Sequence, residues 1–424
     1  MAKIKPFQAF AYNQDKISDI SKVVCPPYDV ISLSQQQAYT SSHKNNFVHI
    51  ILPEDLPAQD RYQHAAFDFK SWIEEGILAQ DKLPAVYFYS QTYNLKGEKK
   101  TRLGFIALLG LEDKGSGVFK HEFTRSEPKE DRLKLIRQVK ANLSPIFAVF
   151  SDRKRVVQQV FQRYVQDKVP FIDIIDRDNV SHKLWRVDSE AVLADIQKKM
   201  QDEDIFIADG HHRYEVACIY REEMRKKLGN LTGEEGCNYI MAYFTNADNR
   251  GLTIMPINRL LQEEPGFDFG NFCLSLKEYF DVEEVKDKEK FSFLMQKAGS
   301  AEHIIGMYKE KKFWLLRLKN VKILDKMIND KPKDYRSLDV SVLNYIVFKK
   351  ILKLDIENKE KLYFYHDEAE LIRQADKNKG SIAFFLNPVR MKQIIAVALS
   401  GERMPSKSTY FYPKVLSGLV INKF

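Results

Sequence analysis

The residues with the clearest capacity for chemistry form the run Asp-Gly-His-His-Arg at 209–213. The apolar stretch at 205–208 before it predicts a short buried strand, and Gly210 permits a tight turn where that strand ends. From 214 to 227 the chain has strong helix formers and neither Gly nor Pro. The run therefore lies at a strand-to-helix junction, where backbone N–H groups and the helix dipole favour anions. We interpret it as a phosphoryl or nucleotide site.

The side chains of this run combine phosphate binding with acid–base chemistry. Arg213 has a planar fork of donors that suits phosphate oxygens. Either His211 or His212 can donate to a phosphate or transfer a proton, and Asp209 can orient one of them or hold Mg²⁺. Adjacent residues on a helix point about 100° apart, so the two histidines do not face one metal ion, which disfavours a zinc site. The structural alternative is a helix-capping aspartate followed by two histidines that only pack.

A second polar run, His-Glu-Phe-Thr, lies at 121–124, before a helix predicted over 128–142. Loops that are held by regular elements are frequent positions for catalytic groups. Glu122 is our candidate general base for a hydroxyl substrate, His121 is the alternative base, and Thr124 is a candidate for substrate binding. The structural alternative is a solvated loop or an N-cap for the next helix.

Two further segments contain side chains that suit ligand binding. Consecutive prolines make the approach to Tyr28 and Asp29 rigid, so these residues can form a wall of the substrate pocket or merely pin an N-terminal strand. Near the end of the chain, Arg403, Lys407 and Ser408 can clamp a phosphate or a carboxylate. The spacing there is not that of a Walker loop. The structural alternative is a strand edge that packs on the rest of the chain.

The surrounding pattern predicts a mixed α/β fold with several lobes. Runs at 85–93 and 101–111 predict one hairpin, and runs at 304–309 and 313–319 predict another. An amphipathic helix is expected over 62–76. The remaining strands are predicted at 146–150, 171–175, 239–244, 252–257, 361–365 and 381–386, and the remaining helices at 153–168, 339–353 and from Pro388 onward.

The length of 424 residues exceeds one ordinary core and predicts more than one domain. We expect an N-terminal and central catalytic region over 1–265, a small α/β lobe over 266–330 and a C-terminal α/β segment over 331–424. Neither the order of the strands in the sheets nor the oligomeric state follows from the pattern.

Composition restricts the class of protein. Basic residues number 66 and acidic residues 58, which gives a net charge of +8. The charges are interspersed, which disfavours a basic tail for nucleic acid and suits an anionic substrate. Four scattered cysteines lack disulfide-like spacing, the N-terminus lacks the apolar core of a signal peptide, and no run approaches the roughly 18 apolar residues of a membrane span. We therefore expect a soluble cytoplasmic protein.

Five motifs carry a resemblance to a known family. They are Val-Cys-Pro-Pro-Tyr-Asp-Val-Ile-Ser at 24–32, His-Glu-x-Thr at 121–124, Asn-Leu-Ser-Pro-Ile-Phe at 142–147, the run at 209–217 and Gly-Glu-Arg-Met-Pro-Ser-Lys-Ser-Thr-Tyr-Phe-Tyr-Pro-Lys at 401–414. With them the chain resembles the domain-of-unknown-function 1015 (DUF1015) family of bacteria and archaea from Lys5 to Val420. That family's name implies no reaction.

A second resemblance does imply a reaction. The run at 209–213 is similar to the phosphate-binding motif of the ParB/sulfiredoxin superfamily, and closest to that of its free L-serine kinases. In that superfamily the motif holds the phosphates of ATP, ADP or CTP at a helix N-terminus. The resemblance implies a ParB/sulfiredoxin-like nucleotide-binding region here, with ATP or ADP and Mg²⁺ as cofactors and a role in serine metabolism.

Our leading hypothesis is a phosphotransferase that uses a nucleotide and Mg²⁺ to phosphorylate a small hydroxylated metabolite, with L-serine as the first candidate. Arg213, the two histidines after Gly210 and Lys407 would neutralise phosphate oxygens, while Glu122 or Asp29 would accept the hydroxyl proton. The alternatives are a ParB-like nucleotide-binding regulator and a hydrolase of a phosphorylated small molecule. We find no clear helix-turn-helix unit or basic face, so we do not expect nucleic acid as a partner. The lack of a long apolar run gives the same expectation for a membrane.

Overall fold

A computed structural model describes residues 2–55, 60–111, 117–124, 126–229, 232–263, 266–298, 302–354 and 361–424. The chain divides into two compact units, each of them discontinuous in sequence. Unit 1 comprises Met1–Lys120, Thr124–Thr253 and Pro413–Phe424, and unit 2 comprises His121–Phe123 and Ile254–Tyr412. Both units contain helices and sheets, so the predicted mixed α/β fold is confirmed.

The two units follow a different division from the three segments expected above. Unit 1 gives way to unit 2 after Thr253, and the expected lobe over 266–330 lies within unit 2. Residue 265, where the first expected segment ends, is outside the described residues. The end of the chain belongs to unit 1, because the strand Asn422–Lys423 pairs with Ala141–Asn142. Hydrophobic patterns are local and do not encode such a long-range pairing.

A mixed sheet runs through unit 1, and its apolar strands read as nearly continuous hydrophobic runs. The strand Ile205–Asp209 is antiparallel to Ile146–Phe150, which is itself parallel to Tyr239–Asn246. In sheet order the described strands are Val118–Phe119, Ile205–Asp209, Ile146–Phe150, Tyr239–Asn246, Glu98–Gly110, Val86–Leu95, Ser181–Val187 and Ile172–Ile175, with Ile4–Lys5 paired to Glu98–Gly110.

Apolar residues of this sheet and of several helices form the main core of unit 1. Phe88, Phe105 and Phe244 are fully buried and belong to the same cluster as the helical residues Val160 and Ile196. Burying each such side chain is worth about 1.5–3 kcal/mol. The helices of unit 1 are Leu33–Thr40, Val48–Ile51, Arg61–Glu74, Ser126–Val139, Val156–Tyr164, Glu190–Met200 and His211–Leu228, with short 3₁₀ turns at Ile20–Lys22, Tyr28–Val30 and Gly236–Asn238. Two short strands of unit 1, Phe10–Tyr12 and Leu78–Gln80, pair with each other.

Unit 2 has an antiparallel sheet with its own core, in which Phe291, Leu315 and Phe385 are buried together. In sheet order its described strands are Phe280–Val285, Lys312–Leu318, Ile304–Lys309, Ser381–Phe385, Asn258–Gln262 and Leu362–Tyr365. Its helices are Phe269–Tyr279, Lys288–Ala298, Lys322–Met327, Lys333–Arg336, Asp339–Val342, the π-helical Leu343–Ile351, Glu368–Lys377 and Met391–Leu399. The short strands Thr253–Met255 and Tyr410–Tyr412 complete the described elements.

Most predicted elements are confirmed, including both hairpins and the helix expected over 62–76, which is Arg61–Glu74. The helix expected over 128–142 ends at Val139, because the next residues pair as a strand. The helix expected over 339–353 is instead an α-helical turn that continues as the π-helix Leu343–Ile351. Across the described ranges, none of the helices has both the length and the apolar character of a membrane span.

Candidate functional site

The predicted strand-to-helix junction is present in unit 1. The strand Ile205–Asp209 ends at Gly210, whose φ of 88° is in the left-handed region that glycine adopts without strain. The helix His211–Leu228 begins at the next residue, three residues before the helix-forming stretch at 214–227. Gly210 provides no capping side chain, and the first N–H groups of a helix have no partner within the helix. The junction therefore presents donors and a positive dipole end to an anion.

Asp209 forms an ion pair that the sequence patterns do not reveal. Its Oδ2 lies 2.5 Å from Nζ of Lys414, and its Oδ1 accepts a hydrogen bond of 2.7 Å from the N–H of Gly210. The side chain of Asp209 is only 19% exposed, and that of Lys414 is only 12% exposed. Burial by itself would raise the pKa of Asp209, but the positive charges of Lys414 and Arg213, together with His211, hold that pKa well below its ordinary value. The carboxylate is therefore ionised at neutral pH.

Buried polar side chains of the sheet hold the backbone on which Lys414 stands. Gln91 and Arg102 face each other on paired strands, and both are fully buried. Nε2 of Gln91 donates to the carbonyl of Lys414 over 2.8 Å, and the guanidinium of Arg102 donates to the carbonyl of Pro413 over 2.5 Å. Arg102 also donates to the side-chain oxygen of Gln91. This network places the ammonium group of Lys414 against Asp209.

Arg213 lies at the edge of a small cavity in unit 1, of about 60 Å³, which Tyr28, Arg132 and Ser144 also line. One guanidinium nitrogen of Arg213 donates to the carbonyl of Pro145 over 2.5 Å. Because a guanidinium has five N–H donors, this single contact leaves capacity to bind an oxyanion. Among the described residues, no carboxylate forms an ion pair with Arg213. The predicted cofactor residue Arg213 and the predicted substrate residue Tyr28 are therefore brought to one cavity.

Tyr28 is held in this cavity by the side chain of Arg132, whose guanidinium carbon lies 4.1 Å from the centre of the phenol ring. Burial raises the pKa of Tyr28 far above its ordinary value, with the neighbouring Asp29 acting in the same direction. The phenol is therefore neutral and can donate a hydrogen bond. Asp29 itself is exposed in the 3₁₀ turn Tyr28–Val30.

Thr124 contacts the same helix through Glu215, a residue that the sequence reasoning did not select. The hydroxyl of Thr124 donates to the carboxylate of Glu215, and Nζ of both Lys120 and Lys129 lies 3.3 Å from that carboxylate. The two lysines place additional positive charge beside the first turns of His211–Leu228. Both lysines are more than 80 residues from Glu215 in the sequence, so no local sequence pattern predicts these ion pairs.

The two histidines differ in their surroundings. His211 is buried, with 3% of its surface exposed, and His212 is half-buried. His211 is also one of the groups that hold the pKa of Asp209 down, so it lies near the ion pair. The proposed acid–base roles of both histidines stay predictions.

The remaining predicted site residues lie in unit 2, where the fold brings two distant motifs together. The carbonyl of His121 accepts from the N–H of Met404 over 2.7 Å, and the backbone N–H of Lys407 donates to Oε1 of Glu122 over 3.3 Å. Nε2 of His121 lies 3.4 Å from the hydroxyl of Thr409. Residues 121–122 and 404–409 are therefore neighbours within unit 2, although the sequence separates them widely.

The proposed anion clamp of unit 2 is divided among different environments. Lys407 is exposed and has a φ of 58°, in the left-handed region. Ser408 is buried, and its hydroxyl donates to the carbonyl of Pro405. The guanidinium carbon of Arg403 lies 5.5 Å from the ring centre of Phe123. Their assignment to a cofactor stays a prediction, as does the general-base role of Glu122.

The described residues contain no group of three or more His, Cys, Asp or Glu side chains that could hold a metal ion. Both carboxylate oxygens of Asp209 already accept hydrogen bonds, one of them from Lys414. A Mg²⁺ ion in direct contact with Asp209 would have to approach a carboxylate that already lies 2.5 Å from an ammonium group. The metal role of Asp209 stays a prediction that its observed contacts do not favour.

Several solved structures show a distant likeness to this chain. A free serine kinase in complex with AMP is 14% identical, with 72% of this chain and 86% of that chain covered at a TM-score of 0.36. SbnI with a C-terminal truncation from Staphylococcus aureus is 12% identical, with 74% and 85% covered at a TM-score of 0.37. A conserved hypothetical protein from Pyrococcus furiosus is 14% identical, with 73% and 92% covered at a TM-score of 0.34. At TM-scores this low, these likenesses establish neither fold nor function.

No curated protein matches the chain. The family model for a protein of unknown function, DUF1015, matches residues 4–341. This span contains both the junction at 209–213 and the run at 121–124, and it covers most of the 424 residues. The chain therefore belongs to the DUF1015 family.

Proposed function

We propose that this protein is a phosphotransferase that binds a nucleotide at the start of the helix His211–Leu228 and phosphorylates a small hydroxylated metabolite. The observation that carries the proposal is the Asp209–Lys414 ion pair beside Arg213 at a glycine-initiated helix N-terminus. The pair fixes Asp209 and Lys414 in place, while Arg213 keeps donors beyond its contact with Pro145.

The charges around the junction favour a phosphate. Lys414 is balanced by Asp209, and Arg132 is balanced by Asp131, with which it forms an ion pair of 2.5 Å. Arg213 has no such carboxylate in the part of the chain that the structure describes. Its guanidinium, the backbone N–H groups of the first helical turn and the neutral phenol of Tyr28 form a set of donors with a net positive charge. Such a set suits the terminal phosphates of a nucleotide.

Phosphoryl transfer depends on positioning and on charge neutralisation more than on covalent chemistry by the protein. Mg²⁺ would enter on the nucleotide phosphates, since this ion usually binds through few protein carboxylates. When bound, it would neutralise phosphate charge. L-Serine is the acceptor that the motif resemblance implies. Glu122 and Asp29 are the candidates that accept the hydroxyl proton, and His211 or His212 can donate to the phosphate.

The proposal predicts turnover with a nucleotide and L-serine. ³¹P NMR of the purified protein with ATP or ADP, Mg²⁺ and L-serine should show a new phosphomonoester resonance, and omission of serine should abolish it. Release of inorganic phosphate without any acceptor would indicate the hydrolase alternative. Nucleotide binding without turnover, together with salt-sensitive DNA binding, would favour the regulator. If none of ATP, ADP, CTP and GTP raises the melting temperature, the proposed nucleotide site is wrong.

A further inference from the structure

Unit 2 contains a cavity of about 210 Å³ that none of the functional assignments above explains. Its wall combines apolar side chains with a set of polar groups. Among the latter are His303, Asp339, Asn387, Arg390 and Ser408. Only Ser408 belongs to a motif that the sequence reasoning selected.

A histidine–carboxylate pair lines this cavity. Nδ1 of His303 lies 2.8 Å from Oδ1 of Asp339, and the two side chains are only 17% and 15% exposed. A carboxylate that accepts from Nδ1 fixes the proton of a neutral imidazole on that nitrogen. Nε2 of His303 is then oriented as an acceptor for a hydroxyl or amino group of a ligand, and it becomes a donor when the ring is protonated.

A buried cation stands behind one wall of the cavity. Arg259 is 1% exposed, and its guanidinium donates to the carbonyl of Ile257 and, over 2.9 Å, to the carbonyl of Lys407. Ile257 and Ser408, which follows Lys407, both line the cavity. Within the described ranges no carboxylate is paired with Arg259, and its guanidinium carbon lies 5.5 Å from the ring centre of Phe364.

The unfavourable free energy of burying the Arg259 charge indicates which kind of ligand the cavity would bind. Burial lowers the pKa of Arg259 to about 9, so the guanidinium still carries its charge at neutral pH. A buried charge without a counterion is unfavourable even when it is hydrogen-bonded to carbonyls, and an anion placed nearby offsets that cost. The positive potential of Arg259 at the wall therefore favours an anionic occupant.

The other charged groups of the cavity lining leave a surplus of donors. Glu302 is paired with Arg317 at 2.6 Å, and Asp339 is engaged by His303. Arg390, by contrast, has only a long 3.3 Å side-chain hydrogen bond, to the amide oxygen of Gln393. In the part of the chain that the structure describes, the buried Nδ2 of Asn387 has no hydrogen-bond partner at all. A buried amide without a partner is uncommon and indicates a missing acceptor.

We propose that this cavity binds a small organic oxyanion, a carboxylate or a phosphate ester, which Arg390 and Asn387 bind through its oxygens while His303 contacts an adjacent hydroxyl or amino group. The size of the cavity restricts the occupant to a small metabolite, and its positive surplus selects for negative charge. The site belongs wholly to unit 2. It does not depend on the nucleotide site proposed for unit 1, and its test needs no nucleotide.

Binding of an anion to this cavity can be tested through the NMR resonance of His303. The chain has nine histidines, few enough for each labelled Cε1 resonance to be followed by NMR, and His303→Gln assigns the one of interest. Sodium L-lactate and inorganic phosphate are titrated separately at constant pH and ionic strength. We expect a saturable shift of the His303 resonance with at least one of them. A response to lactate alone identifies a carboxylate ligand, and a response to phosphate alone identifies a phosphate ligand.

Matched variants decide whether Arg390 binds the anion. Arg390→Gln should weaken binding roughly tenfold or more, as expected for loss of a charge-assisted hydrogen bond. Arg373→Gln changes an exposed side chain on another helix of the same unit and should leave binding unchanged. The other histidine resonances report whether each variant is folded, and Asn387→Leu replaces Arg390→Gln if they change. The proposal is overturned if neither anion gives a saturable shift, or if the binding-site variants bind as tightly as the wild type.

Discussion

Replacing Arg213 with alanine is expected to weaken nucleotide binding by roughly a hundredfold or more, because it removes a charge-assisted contact to phosphate. The fold should survive, since the native contact that would be lost is one hydrogen bond to the carbonyl of Pro145, worth about 1 kcal/mol. Titration calorimetry with ADP and Mg²⁺ measures the affinity, and the melting temperature without ligand measures the stability.

Two further variants separate charge from geometry. Arg213→Lys keeps the positive charge but loses the planar fork, so its affinity should lie between those of wild type and alanine variant. Arg225→Ala lies on the same helix and loses only an exposed ion pair with Glu222, so it should bind like wild type. Wild-type affinity in Arg213→Ala would contradict the phosphate role of this residue.

Replacing Lys414 with methionine is expected to destabilise unit 1 by about 3 kcal/mol, because it leaves Asp209 as a largely buried carboxylate without its cation. Urea unfolding followed by tryptophan fluorescence measures this change. Trp72 and Trp185 are buried in unit 1, whereas Trp314 belongs to unit 2. Carrying out the comparison in a Trp314→Phe background therefore makes the fluorescence report on unit 1.

A double-mutant cycle isolates the interaction between the two charges. Adding Asp209→Asn to Lys414→Met removes both charges and should recover part of the lost stability. Lys70→Met, which breaks an exposed pair with Glu74, is the matched control and should change stability by less than about 1 kcal/mol. Additive effects of Asp209→Asn and Lys414→Met would show that the pair is not coupled.

The pH dependence of the same variants has a defined sign. The folded-state pKa of Asp209 is depressed below the unfolded value of about 3.9, so the pair contributes its stability above that value. This contribution is lost as the pH falls below about 4 toward the folded-state pKa. The difference in stability between wild type and Lys414→Met should therefore be largest near neutral pH and should narrow in acid, because protonated Asp209 no longer needs the cation.

Local sequence was sufficient to predict the junction at which the proposed phosphate site lies. An apolar run predicts the strand Ile205–Asp209, glycine permits the turn, and helix formers follow it, so all the determinants lie within a few turns of chain. The same local reasoning identified Arg213. It also identified Tyr28, which the fold brings to the same cavity.

The partners of these residues were not predictable in the same way. Lys414 is 205 residues from Asp209, and Gln91 and Arg102 bind the backbone carbonyls of Lys414 and Pro413 where the C-terminal chain returns to the sheet. Glu215 lies close to the run at 209–213, but its importance depends on Lys129 of another helix and on Lys120, which follows the strand Val118–Phe119. Pairings of this kind are set by sheet order, which hydrophobic periodicity does not specify.

Contiguity in sequence was also misleading in one place. The run at 121–124 reads as a single motif, yet His121 and Glu122 belong to unit 2 and Thr124 belongs to unit 1. Glu122 contacts the backbone of Lys407, whereas Thr124 contacts Glu215. The cavity around His303 had no local pattern, because its polar residues come from loops and helices that are far apart in the sequence.

The most direct test of the proposed nucleotide site is amide hydrogen exchange of the wild-type protein with and without ADP and Mg²⁺. We predict that bound ADP slows exchange in the peptide that spans 205–220, where the first N–H groups of the helix would donate to phosphate. Under the same conditions Arg213→Ala should show no such protection. Saturating ADP that leaves this peptide unprotected, or that protects only peptides of unit 2, would contradict the site.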